Sequence, residues 1–305
     1  MTKKEITKHK IVQREEAGQR VDRLVADWVD RLSRNKAQGL IEEGRVTVAG
    51  RRIKSSYRID AGEEVKIEIP PLSEEDDRLK PQEMPLDVLY EDEYLAVIDK
   101  PTSLVVHPAP GHPDGTLVNA LLNRYGSLPA PEDPIRPGIV HRLDKDTSGV
   151  ILIARREKAY FDLTAQFKER EVEKEYLALV EGTFSENEGL IDAPIGRDRS
   201  DKTKRAVRLG GKEAKTRFFV ESEFPTATLL KVKPLTGRTH QIRVHLKYIG
   251  HKILGDNYYG GRQCKRLMLH ANEIAFRHPG SGEQVRFQAP LPPEFHQPES
   301  VLGSS

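Results

Sequence analysis

At 305 residues with 37% apolar side chains, the chain is long enough for two domains, each with its own core. Its single cysteine, Cys264, excludes an intramolecular disulfide and a cysteine-built metal centre, and no apolar run approaches the roughly 18 residues that a membrane-spanning helix needs. Lysine and arginine number 49 against 47 acidic residues, a net charge of +2, so whatever charge acts on a partner must come from segregation along the chain.

Residues 1–10 are basic and run into Gln13-Arg14-Glu15-Glu16 instead of an apolar stretch, so no secretory signal is expected and a cytoplasmic protein is. The first unit is expected over 11–70. Val21, Leu24, Val25, Trp28, Val29 and Leu32 keep the spacing of an amphipathic helix. Ser33 is placed to cap a second helix carrying Ala37, Leu40 and Ile41, and Gly44 to close it. The period then changes to two, with Val46 and Val48, an Ala49-Gly50 turn, and later Val65, Ile67 and Ile69. Residues 31–58 carry eight Lys/Arg, among them Arg34, Lys36, Arg45, Arg51 and Arg52, against Glu42 and Glu43. A solvated face would explain such a run, but its concentration on one small module favours a phosphate-binding patch.

Pro70-Pro71 ends this unit, and residues 71–95 hold nine acidic side chains against Arg78 and Lys80. An extended acidic linker is expected over 71–85. From 86 to 293 short strands dominate, at 88–90, 94–98, 150–154, 176–180, 216–220, 228–232, 268–276 and 285–288, with helices at 116–125, 158–168 and 239–248. The two element types do not alternate regularly, which disfavours a doubly wound parallel sheet. The expected class is α+β: a small helical/β module, then a mixed, largely antiparallel sheet with flanking helices. Residues 294–305 read as a polar, frayed tail.

Two stretches of this second unit concentrate chemistry. Gly138-Ile139-Val140-His141-Arg142-Leu143-Asp144-Lys145-Asp146-Thr147-Ser148-Gly149 sets charged side chains between apolar runs, as in a rigid loop over a sheet. Asp146 to Gly149 reads equally well as a plain turn, whereas Asp144 is the better functional candidate. Residues 231–252 hold six Lys/Arg, three histidines and no carboxylate. A helix opening near Thr239 sets Arg243 apart from Ile242, Leu246 and Ile249. Arg243 therefore needs solvent or an anion, and Asp144 would serve if the guanidinium gripped it with two N–H groups. Residues 195–216, with eight Lys/Arg, read as a long basic loop. His240 and His245 lack zinc-helix spacing, Ser148 lacks a nucleophile elbow, and neither a phosphate loop nor a carboxylate cluster for paired metals is evident. These residues alone do not name a reaction.

His141 to Gly149 closely resembles the signature of RluA/RluD-type pseudouridine synthases. Lys100-Pro101, Leu104 to Pro108, Pro113 to Leu122, Glu173-Lys174-Glu175-Tyr176, Gly237 to Leu246, Leu254-Gly255-Asp256 with Tyr259-Gly260, and Leu269-His270-Ala271 are similar to its other blocks, in order, over roughly 80–293. The first unit is similar to the small RNA-binding module named after ribosomal protein S4. His107 to Gly111 brings the whole nearest to the branch that acts on large-subunit ribosomal RNA.

The resemblance implies isomerisation of selected uridines to pseudouridine. It makes Asp144 the catalytic carboxylate, Arg243 its ion-pair partner and Tyr176 the ring that packs on the target base. Arg142 would fill the gap left by the extruded base, and Leu269 would line its pocket. His141, Arg238 and His240 fall in the same blocks and are expected to contact substrate. Nothing is oxidised and no group comes from outside, so no cofactor and no metal are expected. A base inside a stack cannot turn, so extrusion is required. RNA is the expected partner, with no membrane, and the protein is expected to be a monomer. The rivals are the same reaction on transfer RNA, a non-catalytic RNA-binding or ribosome-assembly factor, and an RNA hydrolase.

Overall fold

A computed structural model describes residues 6–29, 32, 34–69, 79–109, 111–131 and 133–295, with the backbone alone at Ile6, Asn35 and Lys36. The expected cap Ser33, Arg31 of the basic run, Pro110, residues 70–78 of the linker region and the tail from 296 lie outside the described residues. The backbone separates into two compact units, Met1–Lys80 with Ala130–Pro137, and Pro81–Pro129 with Gly138–Ser305.

In the first unit, α1 (Val21–Trp28) and α2 (Arg34–Glu42) pack on an antiparallel sheet of β1 (Ile6–Ile11), β2 (Val46–Val48), β3 (Arg51–Arg52) and β4 (Glu64–Ile69), in the order β1-β4-β2-β3. Its core joins Val21, Leu24 and Val25 to Leu40, Ile41, Val46, Val65 and Ile67. Helix α1 stops four residues short of Leu32, yet Val29 and Leu32 are buried all the same. Their periodicity marked core positions that extend past the helix. Gly44 ends α2 with φ of 76°, as its position in the sequence led us to expect. Strand β1 was not anticipated, because lysines at 8 and 10 break any apolar alternation. It is held by register on β4, from Ile6 opposite Ile69 to Ile11 opposite Glu64.

The second unit is the mixed, largely antiparallel α+β domain that was expected. Its strands are β5 (Asp87–Glu91), β6 (Leu95–Lys100), β7 (Ser148–Ala154), β8 (Glu173–Glu181), β9 (Glu188–Asp192), β10 (Ile195–Arg197), β11 (Arg205–Val207), β12 (Lys215–Phe224), β13 (Ala227–Pro234), β14 (Leu269–Arg277) and β15 (Gln284–Gln288). The main sheet runs β5-β6-β7-β14-β8-β13-β12-β9, with β15 also paired to β14. Among the described residues only β7 and β14 pair in parallel. All seven residues of β7 are buried, which explains its unbroken apolar run. Helix α4 (Glu157–Glu169) covers β7 with Ala159, Tyr160 and Leu163. Helix α5 (Gln241–Tyr248) lays Ile242 and Leu246 on the cluster around Leu177, Leu179 and Leu230, and α3 (Leu117–Tyr125) completes the helices.

Two features differ from the sequence reading. Strand β9 was missed, and residues 195–216 are no plain loop: β10 and β11 form a two-stranded hairpin with Ile195 opposite Val207. Three-residue strands rich in arginine are too short for a period of two to register.

Candidate active site

The loop between Gly138 and Ser148 delivers Asp144 to the start of β7, beside the start of β14. Gly149 lets the two strands approach: at φ of 107°, a Cβ there would lie 2.2 Å from the Ala271 carbonyl oxygen. From beneath, the fully buried Lys100 closes the loop. Its Nζ donates to the carbonyls of Pro101 (2.8 Å), Leu104 (2.9 Å) and Lys145 (2.9 Å), so all three ammonium protons have acceptors, one of them next to Asp144. Burial pushes the Lys100 pKa down to about 7, against the pull of Asp146 and Asp144.

Arg243 projects from the first turn of α5 and is only 7% exposed. Its fork does not grip Asp144 with two N–H groups, as the sequence reading had it. Nε and Nη2 each donate, at 2.8 Å, to the two oxygens of Asp256, which is 2% exposed and also accepts the Tyr259 backbone N–H at 3.1 Å. The remaining nitrogen, Nη1, donates to Asp144 Oδ2 at 3.3 Å. One guanidinium thus bridges a buried carboxylate and a carboxylate that is 19% exposed at the cleft. Burial disfavours the Arg243 charge, but Asp256 and Asp144 outweigh it and raise its pKa. In the sequence, Asp256 stands out only as the end of the block Leu254-Gly255-Asp256. The available signal was local: it is the first carboxylate in the chain after Arg243, which lies in a run holding none.

His240 caps α5 in the left-handed region (φ 56°, ψ 23°), a costly backbone for a non-glycine residue. Its Nδ1 shares a 2.8 Å hydrogen bond with the Tyr259 hydroxyl, and its Nε2 stands 3.8 Å from Asp144 Oδ2. Burial lowers the His240 pKa, partly offset by Asp144. The Tyr259 hydroxyl also accepts the Arg205 N–H of β11 at 3.1 Å, which ties the hairpin to this corner.

Tyr176 on β8, Leu269 at the start of β14, and Arg142 and Asp144 on the loop line one cleft of about 580 Å³, together with Arg243, Arg238, His240 and His141. Burial raises the Tyr176 pKa, and the Asp144 charge adds to it. Arg142 is exposed. Arg238 is half-buried and donates Nε to the Glu213 carbonyl at 2.9 Å. His141 is a wall element: it stacks on Phe167 (4.6 Å, 24°), its Nε2 accepts the Leu152 N–H at 2.8 Å, and burial and then Lys174 push its pKa to about 3. It is therefore neutral, with only Nδ1 free to face a ligand.

In the first unit, Arg51 and Arg52 stand exposed on β3. Arg34 is ion-paired at 3.2 Å with Asp22, which also takes Arg20 at 2.8 Å, and Arg45 pairs with Glu43 at 3.1 Å. No helix of the described residues is long and apolar enough to cross a membrane.

Residues 94–248 match the family described as RNA pseudouridylate synthase, and residues 19–65 match the S4 domain. The chain belongs to the RNA pseudouridylate synthase family. This synthase is 42% identical over 284 residues to the RNA pseudouridine synthase YlyB of Bacillus subtilis, covering 92% of this chain and 93% of the relative. It is 41% identical over 302 residues to ribosomal large subunit pseudouridine synthase D of Xanthomonas campestris, covering 94% and 89%. Among solved structures, the human RNA pseudouridylate synthase domain containing 1 superposes with a TM-score of 0.58 at 28% identity, over 68% of this chain and 84% of that one. The synthase is an isomerase of uridine in RNA.

Proposed function

We propose that the synthase acts on uridines of large-subunit ribosomal RNA, with Asp144 as the carboxylate that attacks or deprotonates the ribose. The observation that carries this is the Arg243 Nη1 contact to Asp144 inside the cleft lined by Tyr176 and Leu269. A fixed guanidinium keeps the carboxylate aimed without enclosing it, because the stronger half of the fork is spent on Asp256. Tyr176 packs on the extruded uracil, Leu269 walls the base pocket, and exposed Arg142 fills the vacated stack. His141, Arg238 and His240 contact the target nucleotide. The ribosomal target is supported by the Xanthomonas relative, whose name states it.

We assign residues 11–70 to RNA binding, 71–85 to a linker, 86–293 to catalysis and 294–305 to a tail, in a cytoplasmic monomer. Arg34, Lys36, Arg45, Arg51 and Arg52 are assigned to backbone phosphates. Replacing Arg51 and Arg52 together by alanine is expected to weaken RNA binding and to lower the slope of log Kd against log salt by roughly 1.5. Filter binding across a salt series measures this, and an unchanged slope would mean a merely solvated face.

The target is tested by mapping pseudouridine with carbodiimide and primer extension in RNA from cells lacking the gene. Loss of one or more sites in large-subunit RNA, restored by the wild-type gene, is expected. Loss confined to transfer RNA would move the substrate assignment there.

A further inference from the structure

Three charged side chains that line the cleft, Lys168, Arg170 and Lys174, have no part in binding or aiming Asp144; Lys168 and Arg170 are exposed, and Lys174 is half-buried. Lys174 lies on β8 two residues before Tyr176, so both side chains leave the same face of the strand. Both line the cleft that holds Asp144. The neighbouring carboxylates are committed elsewhere: Glu175 to Lys233 at 3.5 Å, Glu173 to Arg286 at 3.6 Å, and Asp144 and Asp256 to Arg243. Among the described residues Lys174 has no ion-pair partner. Its Nζ stands over the face of Phe167, 5.6 Å from the ring centroid, beside the neutral ring of His141. Phe167 is itself fixed by the stacked, neutral His141.

A desolvated ammonium without a counter-charge is expensive to keep, and burial lowers the Lys174 pKa with nothing opposing it. Such a group is explained when the anion arrives with the substrate. The reaction supplies one. Breaking the N1–C1′ bond leaves its electron pair on the uracil, spread over N1, C5 and the two carbonyl oxygens. The pair is consumed when C5 bonds to C1′, and the C5 proton then leaves to restore the aromatic ring.

We propose that Lys174 donates an N–H to a carbonyl oxygen of the uracil while the base carries that electron pair. This rests on the reading of the cleft as the site that takes the target uridine. The contact is strong only between cleavage and rejoining, so it favours the transition states over the bound substrate. The aromatic stack of Phe167 and His141 holds the amine in place without neutralising it.

The test uses full-length synthase, RNA bearing tritium at uracil C5, and tritium release in single turnovers at saturating enzyme. Lys174→Met is expected to slow release by about a hundredfold. The RNA Kd and its salt slope should stay at wild-type values, and the melting temperature should be equal or higher because an unpaired, half-buried charge is gone. Lys174→Arg is expected to recover at least a tenth of the rate. Release by Lys174→Met within threefold of wild type overturns the proposal. So does a weaker Kd with a slope lower by about 1 and an unchanged saturating rate, which would place the amine on a backbone phosphate. If the methionine variant does not fold, Lys174→Gln takes its place under the same criteria. Asp144→Asn run alongside separates the two readings. An inactive Asp144→Asn beside an active Lys174→Met removes only this proposal, whereas an active Asp144→Asn removes the cleft assignment itself.

Discussion

Asp256→Ala is expected to destabilise the catalytic domain by roughly 3–5 kcal/mol and to cut pseudouridine formation by about a hundredfold or more. The substitution strips two of the three carboxylate contacts from a guanidinium that is 7% exposed and leaves it in a protein interior. It also frees Arg243 to swing fully onto Asp144, which would pull the carboxylate out of its line on the ribose. A displacement near 1 Å is enough to lose two orders of magnitude in rate. The double variant Arg243→Met with Asp256→Leu separates the two effects. Replacing both charges by apolar side chains of similar volume removes the desolvation penalty, so its melting temperature should return near wild type. Its activity should not return. Thermal melts and tritium release on the same preparations read both quantities, and a single Asp256→Ala variant that melts and turns over like wild type would show that Arg243 needs no second anion.

The fold was legible wherever burial imposed a period. The unbroken apolar run of β7 and the i, i+3, i+4 spacing of α1 follow directly from the faces these elements bury. Strands β1, β10 and β11 were not legible: lysines interrupt the apolar alternation of β1, and β10 and β11, at three residues each, bury only Ile195 and part of Val207, too little for a period to register. Within the site, Asp144 stood out because charge lay between apolar runs, and Arg243 because its stretch holds no carboxylate. The roles of Asp256, Lys100 and Lys174 stayed hidden for one reason. Each depends on which long-range partner a charged group meets, or lacks, and spacing along the chain does not encode that. The left-handed backbone of His240 was hidden too, because it comes from the tie between its ring and Tyr259 across the turn after α5.

The division of labour on Arg243 also decides what a neutral residue at 144 should do. Asparagine has the shape of aspartate, and Asp256 continues to balance the guanidinium, so Asp144→Asn leaves no uncompensated charge in the core. Asp144 is itself partly exposed, at 19%. The variant should therefore fold, melt within a degree or two of wild type and bind RNA with the same affinity. What it lacks is the ionised oxygen that the ribose chemistry requires, and losing a group of that kind costs at least about 10⁴ in rate. The decisive measurement is single-turnover tritium release from C5-labelled RNA by Asp144→Asn at saturating enzyme. Undetectable release from a folded, RNA-bound variant is the expected result; release within tenfold of wild type would contradict the assignment of the chemistry to this carboxylate.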